Sequence, residues 1–156
     1  MCNGNNPPAT PVNHSIILKV NTTGIPAPEN PPNNVDSYCS FVGQTNGVSN
    51  ENFEISVANG DTVTWSGIPD PINASDVVKI TQIDYEAGTN LFGTMDLSPV
   101  GDAATITGNI ANSTTTDVET YTIKFEVYNN SILKSSGGVS VYQIDPRIRM
   151  RHKTSK

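Results

Sequence analysis

The stretch Phe53-Glu-Ile-Ser-Val-Ala-Asn-Gly-Asp-Thr-Val-Thr-Trp65 decides the fold, because apolar and polar residues alternate on both sides of a turn at 58–61. Alternation with a period of two is typical of β-strands that bury one face. We therefore predict a β-hairpin whose single tryptophan anchors a core between two sheets. The side chains predicted to point inward are Phe53, Ile55, Val57, Val63 and Trp65.

Similar alternating runs, separated by Gly, Pro and Asn turns, continue along the chain. Within the run 76–85 the apolar phase changes, which predicts a bulge near Thr81-Gln82. No apolar spacing of about 3.6 residues persists over three turns, so we expect no long helix. The chain is predicted to be all-β, an antiparallel two-sheet β-sandwich of Greek-key or jelly-roll type with about eight strands. Besides the hairpin, strands are predicted at 15–20, 38–42, 76–85, 104–110, 121–128 and 139–144.

The length of 156 residues suits one domain. Residues 1–12 are rich in Pro and Asn and predict a flexible N-terminal arm, whereas 13–150 form the single sandwich domain and 151–156 a basic tail. Two loops, 21–34 and 88–101, are long for a compact domain, and loops of that length often have a function. The second carries Leu91, Phe92, Met95 and Leu97, which we expect to fold over the end of the core.

The formal charge of −6 is divided unevenly along the chain. Residues 1–146 contain all fifteen acidic residues and only four lysines, a net charge of −11, whereas residues 147–156 carry five Arg and Lys. An acidic body repels nucleic acid and anionic membranes, so neither is expected as a partner. The two charges are complementary between copies, which predicts a homo-oligomer. The residues predicted for self-association, on an exposed edge strand, are Arg147, Arg149 and Arg151.

Two cysteines are present, Cys2 and Cys39. Cys39 lies in a strand-like run and is expected to be buried, and a disulfide with Cys2 stays open because spacing does not decide it. No signal-peptide pattern follows Met1, so a cytoplasmic location is expected. The alternative is a lipid anchor at Cys2 of a protein whose signal peptide was replaced by a start codon.

Motifs for catalysis are absent from the sequence. The two histidines, His14 and His152, stand near its two ends, outside any nucleophile, metal or phosphate-binding motif. We therefore expect no enzyme activity and no cofactor. The stretch Gly60–Trp65 is similar to a phrase common in copper-binding cupredoxins, but a blue-copper site needs two His and a Cys, and no Cys and His fall close together late in this chain.

Two polar loops contain the candidate ligand-binding residues. Their oxygens suit Ca²⁺, although the spacing matches no EF-hand and turns favour the same residue types, so no metal site is predicted. Loops 67–76 and 87–99 also offer hydrogen-bonding groups of the kind that bind sugars. A lectin-like carbohydrate-binding module, with or without calcium, is therefore the alternative function, with a glycan as partner. The candidate residues are Asp70, Asn73, Asp76, Asn90 and Asp96.

Four segments occur along the chain in an informative order: Ile16-Ile-Leu-Lys-Val-Asn21, Asn30-Pro-Pro-Asn-Asn-Val-Asp-Ser-Tyr38, Val57-Ala-Asn-Gly-Asp-Thr-Val-Thr-Trp65 and Asp145-Pro-Arg-Ile148. Taken together, they resemble the PixA/AidA family of bacterial inclusion-body proteins. Ser66 stands where that family usually has a basic residue, and Ile144 where it has an aromatic one, so the chain resembles a divergent member. The resemblance implies a cytoplasmic, non-enzymatic β-sandwich that accumulates or self-associates, with no catalytic residues to carry over.

Overall fold

A computed structural model describes residues 10–111 and 118–150 of the chain. This part of the chain consists of strands and loops with two single-turn 3-10 helices, at Asp36–Tyr38 and Asn50–Asn52. The predicted all-β class is confirmed. The strands are β1 (Asn13–Val20), β2 (Cys39–Phe41), β3 (Glu54–Val57), β4 (Thr62–Pro69), β5 (Val77–Gly88), β6 (Asp96–Leu97), β7 (Ile106–Asn109), β8 (Val118–Asn129), β9 (Ile132–Leu133), β10 (Tyr142–Ile144) and β11 (Arg147–Met150).

The strands form the two sheets of a sandwich, as predicted. The smaller sheet has the order β2-β1-β4-β7, and the larger has the order β3-β11-β8-β5-β6, with β9 and β10 also paired to β8. Both sheets are mixed rather than purely antiparallel, because β1 pairs with β4 and β3 pairs with β11 in parallel. Parallel neighbours cannot be joined by a tight hairpin and need a longer connection. Between β1 and β4 the chain passes through β3, which belongs to the larger sheet.

The hairpin predicted across residues 58–61 is wrong. β3 belongs to the larger sheet and β4 to the smaller one, so this turn carries the chain from one sheet to the other. Gly60 allows the turn, because its φ of +83° lies in the left-handed region that other residues rarely adopt. The alternation still identifies the inward side chains, and Val57, Val63 and Trp65 are buried. Alternation reports which face is buried but does not report the neighbouring strand.

Asp61 holds this turn between the sheets in place. Its carboxylate is buried, and Oδ2 accepts the Ala58 N–H at 2.9 Å and lies 2.8 Å from Nε2 of His14. Oδ1 accepts the Val12 N–H at 2.9 Å, and the backbone oxygen of Asp61 accepts the Ile110 N–H at 2.8 Å. One residue therefore ties the turn to the start of β1 and to the segment that follows β7.

The core lies between the two sheets and centres on Trp65 of β4 and Tyr121 of β8. Both side chains are fully buried, and the Trp65 indole N–H donates to the Tyr121 hydroxyl at 3.2 Å. Phe92 packs against Trp65 with ring centroids 5.3 Å apart. Leu91 is also buried, so the loop after β5 folds over the end of the core as predicted, although Met95 is exposed.

The bulge predicted in β5 is confirmed. The register of β5 against β8 shifts between Ile80 and Gln82. An extra residue at this point turns both Ile80 and Ile83 into the core, where each is buried. The change of apolar phase in the sequence therefore reflects one irregular strand and not two separate strands.

The prediction that residues 147–151 form an edge strand is wrong. β11 lies inside the larger sheet, between β3 and β8, so β3 already occupies the edge that was expected to be open. Ile148 and Met150 are buried. Arg147 and Arg149 belong to this internal strand, and Arg151 lies outside the described residues.

We predict that Asp61→Ala lowers the free energy of unfolding by about 3 kcal/mol, since it removes a charged acceptor from two backbone N–H groups. Urea denaturation followed by circular dichroism measures this change. Asp102→Ala is the control, because Asp102 is exposed and its replacement should change stability by less than about 0.5 kcal/mol. A loss at Asp61 as small as that of the control would contradict its role at the turn.

Candidate functional site

The loop between β4 and β5 uses its predicted ligand residues to build its own structure. Oδ1 of Asn73 accepts the backbone N–H groups of Ser75 and Asp76 at 3.1 and 2.9 Å. This arrangement is an Asx turn, in which a side chain replaces a backbone acceptor. Asp70 is exposed and forms an ion pair with Lys19, with 3.1 Å between Oδ2 and Nζ.

The carboxylate of Asp76 is the hydrogen-bonding centre of this region. Oδ2 accepts from Thr22 Oγ1 at 2.5 Å and from the side-chain amides of Asn73 and Asn129, both at 3.1 Å, and Oδ1 accepts the Asn130 N–H at 2.7 Å. These bonds, the one from Thr22 first, lower the pKa of Asp76 to about 2. Asp76 therefore ties the loop after β1 to the turn after β8. With four donors bound, Asp76 is a structural anchor of this region.

The predicted residues of the second loop are also engaged locally. Nδ2 of Asn90 donates to the Thr94 carbonyl at 2.8 Å, and Asp96 accepts from Nε2 of Gln82 at 3.4 Å. Within residues 10–111 and 118–150, no group of three or more His, Cys, Asp or Glu side chains is arranged to hold a metal ion. The contacts of both loops therefore give the lectin-like alternative no support.

Glu119 is a buried carboxyl that the sequence analysis did not single out. It lies in β8 two residues before Tyr121, and therefore on the inward face, with 2% of its surface exposed. Its Oε2 accepts the Leu91 N–H at 2.5 Å, which holds the loop after β5 against the core. Burial nevertheless raises the pKa of Glu119 to about 7. The alternation of residues 121–128 would have revealed Glu119, because counting back two residues from Tyr121 gives another inward position.

Cys39 is a free thiol, and it is buried, as predicted. Burial, and then the nearby charge of Asp36, raise its pKa to about 12, so the thiol is unreactive at neutral pH. Cys2 lies outside the described residues.

The free edge of β2 is covered by side chains from the loop that follows it. The Phe41 N–H donates to Oε1 of Gln44 at 2.7 Å, and the backbone N–H of Gln44 donates to the Phe41 carbonyl at 3.1 Å. Asn50 donates to the Cys39 carbonyl at 3.1 Å. These bonds satisfy the backbone groups that would otherwise pair with another strand, which is how proteins protect sheet edges.

The edge of β10 is different, because its outward backbone groups face a groove. The Tyr121 N–H donates to the Pro146 carbonyl at 3.3 Å, so Pro146 is in a hydrogen-bonded pair with β8. Hydrogen-bonded pairs occur at every second residue of an antiparallel strand, so Ile144 and Tyr142 also direct their backbone groups toward β8. The backbone groups of Gln143 consequently point away from β8. Within the part of the chain that the structure describes, no backbone partner meets them.

We call this feature the β10 groove; it runs between the β10 edge and the loop that contains residues 29–36. It consists of two adjoining depressions, of about 340 and 240 Å³, that share Pro32 and Gln143. The loop wall is held in place where the Tyr142 hydroxyl donates to the Pro26 carbonyl at 2.7 Å. The lining includes four exposed carboxylates and no Lys or Arg among the described residues: Glu29, Asp36, Glu51 and Asp145.

The fold is similar to that of an inclusion-body protein of known structure. No family model and no curated protein matches the chain. The crystal structure of the inclusion body protein PixA from Burkholderia cenocepacia J2315 is similar, with a TM-score of 0.66 and 15% sequence identity over 93% of this chain and 99% of that one. The likeness shows a shared fold and a distant structural relationship. None of the described helices is long and apolar enough to span a membrane.

We predict that Asp76→Asn lowers stability at neutral pH and that the difference from the parent protein shrinks as the pH falls from about 3.8 to about 2. The folded state has the lower pKa, so the ionised carboxylate stabilises the fold above that range and this contribution is lost on acidification. Thermal unfolding at a series of pH values measures it. Asp102→Asn, at an exposed position, is the matched control and should not show this convergence.

Glu119→Gln tests the buried carboxyl. The folded state raises the pKa of Glu119 from 4.5 to about 7, so the folded protein holds a proton that the unfolded chain releases. The stability of the parent protein should therefore decline as the pH rises through this window, and the Gln variant should lose that part of the decline. Unfolding at pH 5 and at pH 8 provides the comparison, with Glu29→Gln, an exposed substitution, as the control. Equal pH dependence in parent and Glu119→Gln proteins would contradict the assignment.

Proposed function

We propose that this protein is a non-enzymatic structural protein that self-associates, of the inclusion-body type. The observation that carries the proposal is the charge separation between residues 1–146, at −11, and the five cationic side chains of residues 147–156. Opposite charges on different parts of one surface attract between copies, and this attraction weakens with salt. A cytoplasmic location, expected from the sequence, belongs to the same proposal.

The structure leaves much of the acidic charge open to a partner. Among the residues that the structure describes, three Lys and Arg side chains form ion pairs inside the chain: Lys19 with Asp70, Lys124 with Asp84, and Arg149 with Glu54. The carboxylates of the β10 groove lie apart from these pairs. Residues 151–156 add Arg151, Lys153 and Lys156 to the available positive charge.

The positions of the titrating carboxyl groups argue against catalysis. Asp76 adjoins the end of the β5–β8 ladder at which Val77 pairs with Tyr128, whereas Glu119 pairs with Gly88 at the opposite end. Some ten residues of strand separate the two carboxyls, a distance on the order of 30 Å. A catalytic site needs such groups to converge in one cleft. The likeness to a protein called an inclusion body protein supports the same conclusion, as a distant relationship.

Sedimentation velocity of the full chain and of a chain that stops after Met150 tests the proposal. The truncation spares residues 147–150, because these form the internal strand β11. We expect the full chain to form larger species in 20 mM salt, to lose most of them in 500 mM salt, and to remain monomeric without residues 151–156. A chain of unchanged length with Arg151, Lys153 and Lys156 replaced by Gln separates charge from length. Identical, salt-independent profiles for all three proteins would rule the proposal out.

A further inference from the structure

The β10 groove lies where the larger sheet is missing part of a strand. β10 and β11 run along β8 in one continuous register, interrupted by Asp145 and Pro146. β3 covers the outer side of β11, beginning where the Arg147 N–H donates to the Phe53 carbonyl at 3.0 Å. The backbone of Gln143 points to this same outer side, since residues two apart in a strand orient their backbone groups alike. The groove therefore continues the line of β3 past its first residue.

An extended peptide is the ligand that fits this geometry. A strand laid in the groove would hydrogen-bond to the unpaired edge of β10 and extend the larger sheet, which is a common mode of peptide recognition. The four carboxylates Glu29, Asp36, Glu51 and Asp145 select a basic peptide. The groove is formed before binding, because Tyr142 and Asn50 hold its loop wall through hydrogen bonds to the Pro26 and Asp36 carbonyls.

We propose that the β10 groove of one copy binds residues 151–156 of a second copy as an added strand, an inference that rests on the proposed self-association. This segment, Arg-His-Lys-Thr-Ser-Lys, carries three Arg and Lys side chains and directly follows the last residue of β11. It belongs to the C-terminal stretch 147–156, which carries five of the nine Arg and Lys residues of the chain.

Binding within the same copy conflicts with the reach of this segment. Met150 and Gln143 are seven residues apart on nearly one line, or about 23 Å, whereas six extended residues span about 20 Å and would first have to reverse direction. The segment therefore reaches the groove of a neighbour and not its own. Each copy then donates one segment and accepts another, and such a head-to-tail contact produces chains of copies unless it closes into a ring.

The test uses full-length variants that disable the donor and the acceptor separately. Gln143→Pro removes the outward N–H and places a ring in the groove without removing a bond to β8, while Gln143→Ala keeps the N–H and is the matched control. Arg151→Glu, Lys153→Glu and Lys156→Glu together disable the donor. In sedimentation velocity at low salt, we expect Gln143→Ala to assemble like the parent and the other two proteins to need at least about tenfold higher concentration.

Mixing provides the decisive measurement. The donor-disabled chain retains an intact groove and Gln143→Pro retains an intact basic segment, so an equimolar mixture should form one-to-one dimers that neither protein forms alone. Should Gln143→Pro fail to fold by near-UV circular dichroism, Glu29→Lys with Glu51→Lys, both at exposed positions, replaces it as the acceptor-disabled protein. Parent-like assembly of the folded acceptor variant would overturn the assignment of the groove while leaving self-association intact. A parent protein that stays monomeric at every concentration would overturn both.

Discussion

The turn held by the carboxylate of Asp61 is the constraint on which the rest of this sandwich depends. Two strands of nearly ideal hairpin pattern are adjacent in sequence, yet they belong to different sheets. Asp61 makes this arrangement stable by binding the backbone of Ala58 within the turn and of Val12 before β1. With the turn fixed, β4 is free to pair in parallel with β1, over all eight residues of each strand. The smaller sheet is built around this pairing.

Sequence patterns predicted which side chains are buried better than they predicted which strands are neighbours. The inward faces of β1, β4 and β8 and the bulge in β5 follow from local alternation, because burial acts on each strand by itself. The pairing of β3 with β11 joins segments about ninety residues apart in the chain, and no local pattern encodes such a choice. The same limit explains why β11, amphipathic and late in the chain, was predicted to be an edge strand.

The candidate ligand residues show a related limit. Asp70, Asn73 and Asp76 have the right chemistry for an ion or a sugar, but turn formation favours the same residues and accounts for their contacts here. Glu119 is the opposite case: its position in the alternation of β8 indicates that it is buried, but it was not selected as a candidate. Composition identifies polar loops, whereas the hydrogen-bond geometry shows which of their polar groups are already bound within the protein.

The shortness of β3 has a consequence for how this architecture evolves. β10 and β11 form one line along β8, and only four residues of β3 shield it, beside β11 alone. A few extra residues of extended chain before Glu54, in place of the 3-10 turn at Asn50–Asn52, would lengthen β3 so that it also pairs with β10. Under the proposed mode of assembly, small insertions or deletions at that single boundary would convert this fold between self-associating and monomeric forms, with no change to the hydrophobic interior.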